Sequence, residues 1–303
     1  MKTSAVLNVL FAVFFSVFQA SPALQPDPPH ECDDCAEWNK PHEPFKVFGN
    51  TYYVGVDGLS ALLIRGDDGQ MVLLDGGLEQ SAPLIDQNIR TLGFRTQEVR
   101  LIVNSHAHYD HAGGIAALQR FTNATVAASP AGARALERGG PTEDDPQVAY
   151  GKSQLFPRVK SVRSVADGEV LRVGSIALTA HHTPGHTPGS TTWSWQSCEG
   201  AHCLNIVYAD SLTAVSAPGF RFTTGNAPTA ADRFRQSIAT VEKLPCDMVF
   251  STHPSASGMK EKVTRRKAMP AVDPFIDSNA CRTYAAGAMK RLDERIAEEK
   301  KAK

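Results

Sequence analysis

Four metal-competent side chains fall within six residues, His106-Ala107-His108-Tyr109-Asp110-His111, and they constrain this chain more than any other feature. They follow Leu101-Ile102-Val103, a short run that reads as a fully buried strand, and they precede Gly113-Gly114 and a helical stretch from Ile115 to Phe121. Alternate positions of an extended segment share a side, so His106 and His108 can leave the strand end in one direction. Asp110 and His111 lie where the chain turns, and can face a neighbouring point. Such a set fits two close metal ions better than one. Imidazole and carboxylate suit zinc, while iron and manganese stay open on donor chemistry alone.

Two more histidines sit at strand exits. His186 lies in the Gly/Pro-rich frame Thr183-Pro184-Gly185-His186-Thr187-Pro188-Gly189, after a strand-like run ending at Ala180. His253 lies in Ser251-Thr252-His253-Pro254, after Met248-Val249-Phe250. In open α/β sheets, functional groups gather at the carboxyl ends of strands. Asp75-Gly76-Gly77 closes another apolar strand, either as a simple turn or as a buried carboxylate that orients a ligand-bearing loop.

Around these residues the chain alternates. Strand patterns at 51–54, 61–64 and 71–74 precede a helix at 82–92, the strand at 101–103 and the helix at 115–121. A second set of strands at 161–165, 170–173, 176–180, 191–195, 205–209 and 248–251 encloses a helix at 231–244, and a last helix covers 283–297. Residues 139–157, rich in Gly, Pro and acids, read as a long surface loop, a class of segment that is often functional. Two similar halves suit two packed sheets with helices outside, although several α/β architectures share that order.

The N-terminus reads as an address. Lys2 precedes an apolar run from Val6 to Phe18, and small residues follow at Ala20, Ser21 and Ala23. This is the pattern of a secretory signal cleaved after Ala23, so export to the periplasm is expected. Residues 24–46, rich in Pro and charge, read as an extended arm, and 47–303 as one domain. Six cysteines, an even count, suit disulfides in an exported chain. A Cys246–Cys281 bridge would tether the last helix, contributing about 3–4 kcal/mol in the chain-entropy account. Cys198 and Cys203 can pin a short hairpin. Cys32-x-x-Cys35 reads as a local disulfide, with redox and zinc half-site roles as alternatives. A net charge of −1 gives no general attraction to nucleic acid or anionic membrane.

Taken together, Leu74-Asp75-Gly76-Gly77, the 106–111 motif, the frame around His186, Ala209-Asp210-Ser211-Leu212 and His253 resemble the metallo-β-lactamase superfamily over roughly residues 45 to 285. Finer features resemble the third subclass of its class B β-lactamases. The resemblance implies an αββα sandwich of two mixed β-sheets with helices on the outer faces. It implies two Zn2+ per chain, one on His106, His108 and His186, the other on Asp110, His111 and His253. It implies that Asp110 also orients a hydroxide, and that Ser211 and Thr213 contact the substrate carboxylate. The expected function is zinc-dependent β-lactam hydrolysis by a monomer, with a small-molecule partner, no nucleic acid, and no membrane once the signal is cleaved. A lactonase or thioesterase on the same metals is the alternative. Asp210 discriminates them, because in those relatives an Asp at a comparable place bridges both metals.

Overall fold

The computed structural model describes residues 23–301, so the expected signal segment, apart from Ala23, lies outside the described residues. One sheet contains β1 (Phe45–Phe48), β2 (Thr51–Tyr53), β3 (Leu62–Arg65), β4 (Met71–Leu74), β5 (Val99–Val103), β6 (Thr125–Ala128) and β7 (Val162–Ser164), adjacent in that order. Its first four strands pair antiparallel, and β4 to β7 pair parallel. The other sheet runs β12-β11-β10-β9-β8, from β8 (Val170–Val173), β9 (Ile176–His182), β10 (Thr191–Glu199), β11 (His202–Ala209) and β12 (Met248–Ser251). Only its β11–β12 pair is parallel.

The strands assemble as a sandwich because their apolar residues alternate between two interiors. On β4, Val72 and Leu74 face the space between the sheets, while Met71 and Leu73 face the layer of helices. On β11, Ile206 and Tyr208 enter the inter-sheet core, and Val207 and Ala209 face outward to a third core. Each such burial stabilises by about 1.5–3 kcal/mol for a large apolar side chain. A strand buried on both faces needs a cover on each side, and the helices provide it.

A short helix α1 (Cys35–Trp38) lies in the N-terminal arm, followed along the chain by α2 (Ala82–Thr91), α3 (Tyr109–Ala112), α4 (Ile115–Thr122) and α5 (Pro130–Arg138). Ile85 and Ile89 of α2, Ile115 and Leu118 of α4 and Leu136 of α5 cover the first sheet. Then come α6 (Ala230–Lys243), α7 (Met259–Ala268) and α8 (Ala280–Lys301). Phe234, Ile238 and Val241 of α6, with Tyr284, Ala288 and Leu292 of α8, cover the second sheet. The architecture is the αββα sandwich of two mixed sheets. The arm is less extended than its composition suggests, since it contains α1 and gives its last two residues to β1. Disulfides join Cys32 to Cys35, Cys198 to Cys203 across the β10–β11 hairpin, and Cys246 to Cys281.

Strand direction positions the site. The parallel neighbours β4 and β5 end at Leu74 and Val103, and the parallel neighbours β11 and β12 end at Ala209 and Ser251. Every metal-competent motif follows one of these ends or the end of β9. Hydrogen bonds at the far end of the strands tie one sheet to the other: the Asp67 backbone N–H donates to Ser175 Oγ, and the Asn50 N–H to Ser197 Oγ.

Candidate metal centre

The turn after β4 sets up the motif. Asp75, at φ 62°, is fully buried, and its carboxylate accepts from the Asn104 amide, the Ser105 backbone N–H (2.7 Å), the Ser105 hydroxyl (2.6 Å) and the Tyr208 hydroxyl (2.8 Å). Burial pushes its carboxyl above the ordinary range, although the charge of His111 and these donors work against the rise. Asp75 thereby fixes the exit of β5 one residue before His106. A Cβ on Gly114 would come within 2.3 Å of the Gly76 carbonyl oxygen, so only glycine lets the turn close on the start of α4.

Three histidines converge first. His106, His108 and His186 each offer a ring nitrogen within 4.8 Å of the others', with ring centroids 4.7–5.0 Å apart and planes inclined by 74–87°. Each ring is turned by a partner on its other nitrogen. His106 Nδ1 lies 2.7 Å from Asp210 Oδ1, His108 Nε2 lies 3.2 Å from Asp145 Oδ2, and His186 Nδ1 lies 2.9 Å from the Thr213 carbonyl oxygen. Such partners fix the tautomer and leave one lone pair directed inward. His106 Nε2 is buried with no hydrogen-bond partner, the state expected of a metal-facing nitrogen.

The second convergence is tighter. Asp110 Oδ2 lies 3.1 Å from His111 Nε2 and 3.3 Å from His253 Nε2, and the two nitrogens are 3.3 Å apart. Ligand atoms about 2.0–2.1 Å from a tetrahedral ion stand roughly 3.3 Å from one another. The spacing therefore matches donors around one cation. His106, Asp110 and His111 also offer atoms within 4.8 Å of one another, so the two convergence points adjoin.

Electrostatics agree with a site built for cations. Burial pushes His106 well below the ordinary imidazole range, and the nearby histidines push it further. His186 falls to about 3, again chiefly by burial with His108 beside it. Burial alone would raise Asp110, but the charge and hydrogen bonds of His111 and His253 hold it well below the carboxylate range. Burial alone would lower His111, and Asp110 reverses that. Burial thus favours the neutral forms of His106 and His186, while Asp110 is held ionised beside a His111 pushed toward its charged form; imidazole and carboxylate are donors that suit zinc.

Other sequence-singled residues take varied places. Asp210, fully buried, reaches the centre through His106 and belongs to neither convergent group. Ser211 is buried, with its hydroxyl 2.6 Å from that of Thr252. Thr213 Oγ1 lies 3.1 Å from His186 Nδ1. In the 139–157 segment, Leu155 is exposed, whereas Phe156 is buried in the core under the first sheet. Sequence reasoning missed Asp145 and Gln147, which stand on His108 and His186 from that same segment. It also missed Trp38, whose ring lies 5.3 Å from that of His253. Only the concentration of acids in the 139–157 loop hinted at Asp145; no spacing announced the others.

Comparison with known proteins follows the same lines. The family model of the metallo-beta-lactamase superfamily matches residues 54–253. The solved structure of the Rm3 metallo-beta-lactamase is similar, with 50% identity and a TM-score of 0.85 over 89% of this chain and 99% of that one. So is MEM-A1, a subclass B3 metallo-beta-lactamase isolated from a soil metagenome library, at 47% identity and a TM-score of 0.83 over 88% of this chain and all of that one. Among curated relatives, a probable metallo-hydrolase of Burkholderia pseudomallei is 28% identical over 155 residues, 48% of this chain. The chain spans about half the length of that relative, 50%.

Proposed function

Because the chain belongs to the metallo-beta-lactamase superfamily, we propose that it hydrolyses the amide bond of β-lactams (penicillins, cephalosporins and carbapenems) and so confers antibiotic resistance. The observation that carries the substrate class is the likeness to solved metallo-beta-lactamases over nearly their whole length. The position of Asp210 supports the same reading. A lactonase or thioesterase on this framework would need it between the metals, whereas its Oδ1 is engaged on the far nitrogen of His106 and the residue stands outside both donor groups.

Two zinc ions are proposed, held by His106, His108 and His186 and by Asp110, His111 and His253. When bound, zinc lowers the pKa of water to about 7 and polarises a carbonyl oxygen. The protein's own groups do the rest. Asp110 engages both histidines through Oδ2, which leaves Oδ1 to accept a proton from the attacking water and orient it. Asp210, Asp145 and Thr213 keep the three imidazoles in one tautomer through the reaction. Ser211 and Thr213 hold the substrate carboxylate. Water protonates the departing nitrogen. The apolar run from Val6 to Phe18 and the three disulfides support export to the periplasm, and N-terminal sequencing of the mature chain tests cleavage after Ala23.

Steady-state hydrolysis of a carbapenem and a cephalosporin by the zinc-loaded protein tests the substrate class, with a chelator control and a simple lactone alongside. Lactam turnover abolished by the chelator is the expected result. Lactone turnover without lactam turnover would overturn the reading.

A further inference from the structure

Between Ala209 and Ala230 the chain has neither strand nor helix, so contacts with its neighbours set the path of this segment. It carries Ser211 and Thr213 at one end. At the other it meets the last turns of α8, where Glu299 is 6% exposed although Glu298 and Lys300 beside it are open to solvent. A carboxylate buried there is costly unless donors surround it. Four do. Oε1 accepts from the Phe222 backbone N–H (2.9 Å) and Arg295 Nε (3.0 Å), and Oε2 from the Thr223 backbone N–H (3.0 Å) and hydroxyl (2.8 Å).

Arg295 extends the grip. Its Nη2 donates to Ser216 Oγ (2.8 Å) and to the Phe220 carbonyl oxygen (3.2 Å). The opposite side of the segment is held from the 145–150 loop. Tyr150 donates its hydroxyl to the Ser216 carbonyl oxygen (2.9 Å), and the Ala217 N–H donates to the Pro146 carbonyl oxygen (2.9 Å). That loop contributes Asp145 to His108, and the clamped segment contributes Thr213 to His186.

We infer that Glu299 is a positioning residue, a latch that fixes residues 213–223 from outside the site and so sets where Thr213 presents itself to substrate. The inference rests on the proposed reading of Thr213 as a substrate contact. The Glu299 carboxylate touches Phe222, Thr223 and Arg295 and none of the clustered donors, so losing the latch should weaken substrate positioning more than the bond-breaking step.

The test compares the full-length zinc-loaded wild type with Glu299→Ala, and with Glu294→Ala as an exposed acid on the same helix. Hydrogen exchange over 213–223 and carbapenem kinetics are both measured. Expected for Glu299→Ala are faster exchange confined to that segment, KM raised about tenfold and kcat within about twofold, with Glu294→Ala unchanged. Unchanged exchange would overturn the latch. Faster exchange with an unchanged KM would overturn its role in positioning, as would kcat and Tm falling together. If the wild type turned over no lactam, the function would fall and exchange would still decide the latch. Should Glu299→Ala not fold, Glu299→Gln carries the same measurements, since it keeps one acceptor oxygen.

Discussion

His106, His108 and His186 are each turned by a group on the far nitrogen, and these partners are where single substitutions are most informative. Asp210 and His106 are both pushed toward their uncharged forms, chiefly by burial, before any cation is added. Asp210→Asn keeps the shape and one acceptor but loses the carboxylate, whose charge a bound cation would favour and which holds a proton on Nδ1. Zinc affinity should fall by about 10–100-fold, read by competition with a chromophoric chelator. Asp145→Asn should cost less, because its contacts to His108 are longer at 3.2–3.3 Å. Glu79 gives a prediction of the opposite kind. It is buried beside Gly113, and burial, with Asp27 adding to it against a backbone hydrogen bond, pushes its carboxyl up to about 7. A folded value above the unfolded one near 4.5 means that the neutral acid is favoured, so stability is lost as pH rises from about 4.5 through 7. Glu79→Gln should therefore raise Tm by a few degrees at pH 8, from at most about 3 kcal/mol, and change nothing at pH 4. Thermal melts across that range check it. The clustering of the site histidines with Asp110 was legible because they stand at strand ends. Asp210's carboxylate was visible, but its partner is 104 residues away, and no local pattern fixes so distant a pairing.

Among elements, α8 has the widest consequences. It packs on α6, donates the Tyr284 hydroxyl to the Asp210 carbonyl oxygen (2.8 Å), and is bonded covalently through Cys281 to Cys246. Replacing both cysteines by serine should cost about 3–4 kcal/mol, lowering Tm by roughly 6–15 °C in non-reducing melts. Its apolar stripe made α8 readable in the sequence. By contrast α7 is polar almost all round and buries only Met259, so periodicity had nothing to register. The signals for α5 were present: Ser129 caps it by accepting from the Gly132 N–H, Pro130 opens it and Gly139 ends it in the left-handed region. They stand in a segment whose loop-like neighbours obscure them. The pairing of β1 with β2 was not legible either, since four residues at the end of a Pro-rich arm carry little pattern of their own.

For the whole molecule, the sandwich was readable as two halves of strands and helices, while the order of strands in each sheet was not. That order depends on which buried faces meet, and alternation along one strand does not encode its neighbour. A ligand that binds only the folded chain stabilises it by mass action, about 2.7 kcal/mol at a hundredfold excess over Kd. Removing zinc with a chelator should therefore lower Tm by roughly 5–10 °C, and adding zinc back should restore it, as followed by differential scanning calorimetry. The donors are also divided between the sheets: His106, His108, Asp110 and His111 follow β5 of one, His186 and His253 follow β9 and β12 of the other. A cation shared among them rivets the seam at that edge, while hydrogen bonds such as Asp67 to Ser175 and Asn50 to Ser197 stitch the opposite one. The molecule is then a book with two unlike bindings. Drawing out the rivet leaves that margin to hydrogen bonds alone, Tyr208 to Asp75 and His106 to Asp210 among them, so the metal-free chain should loosen there first.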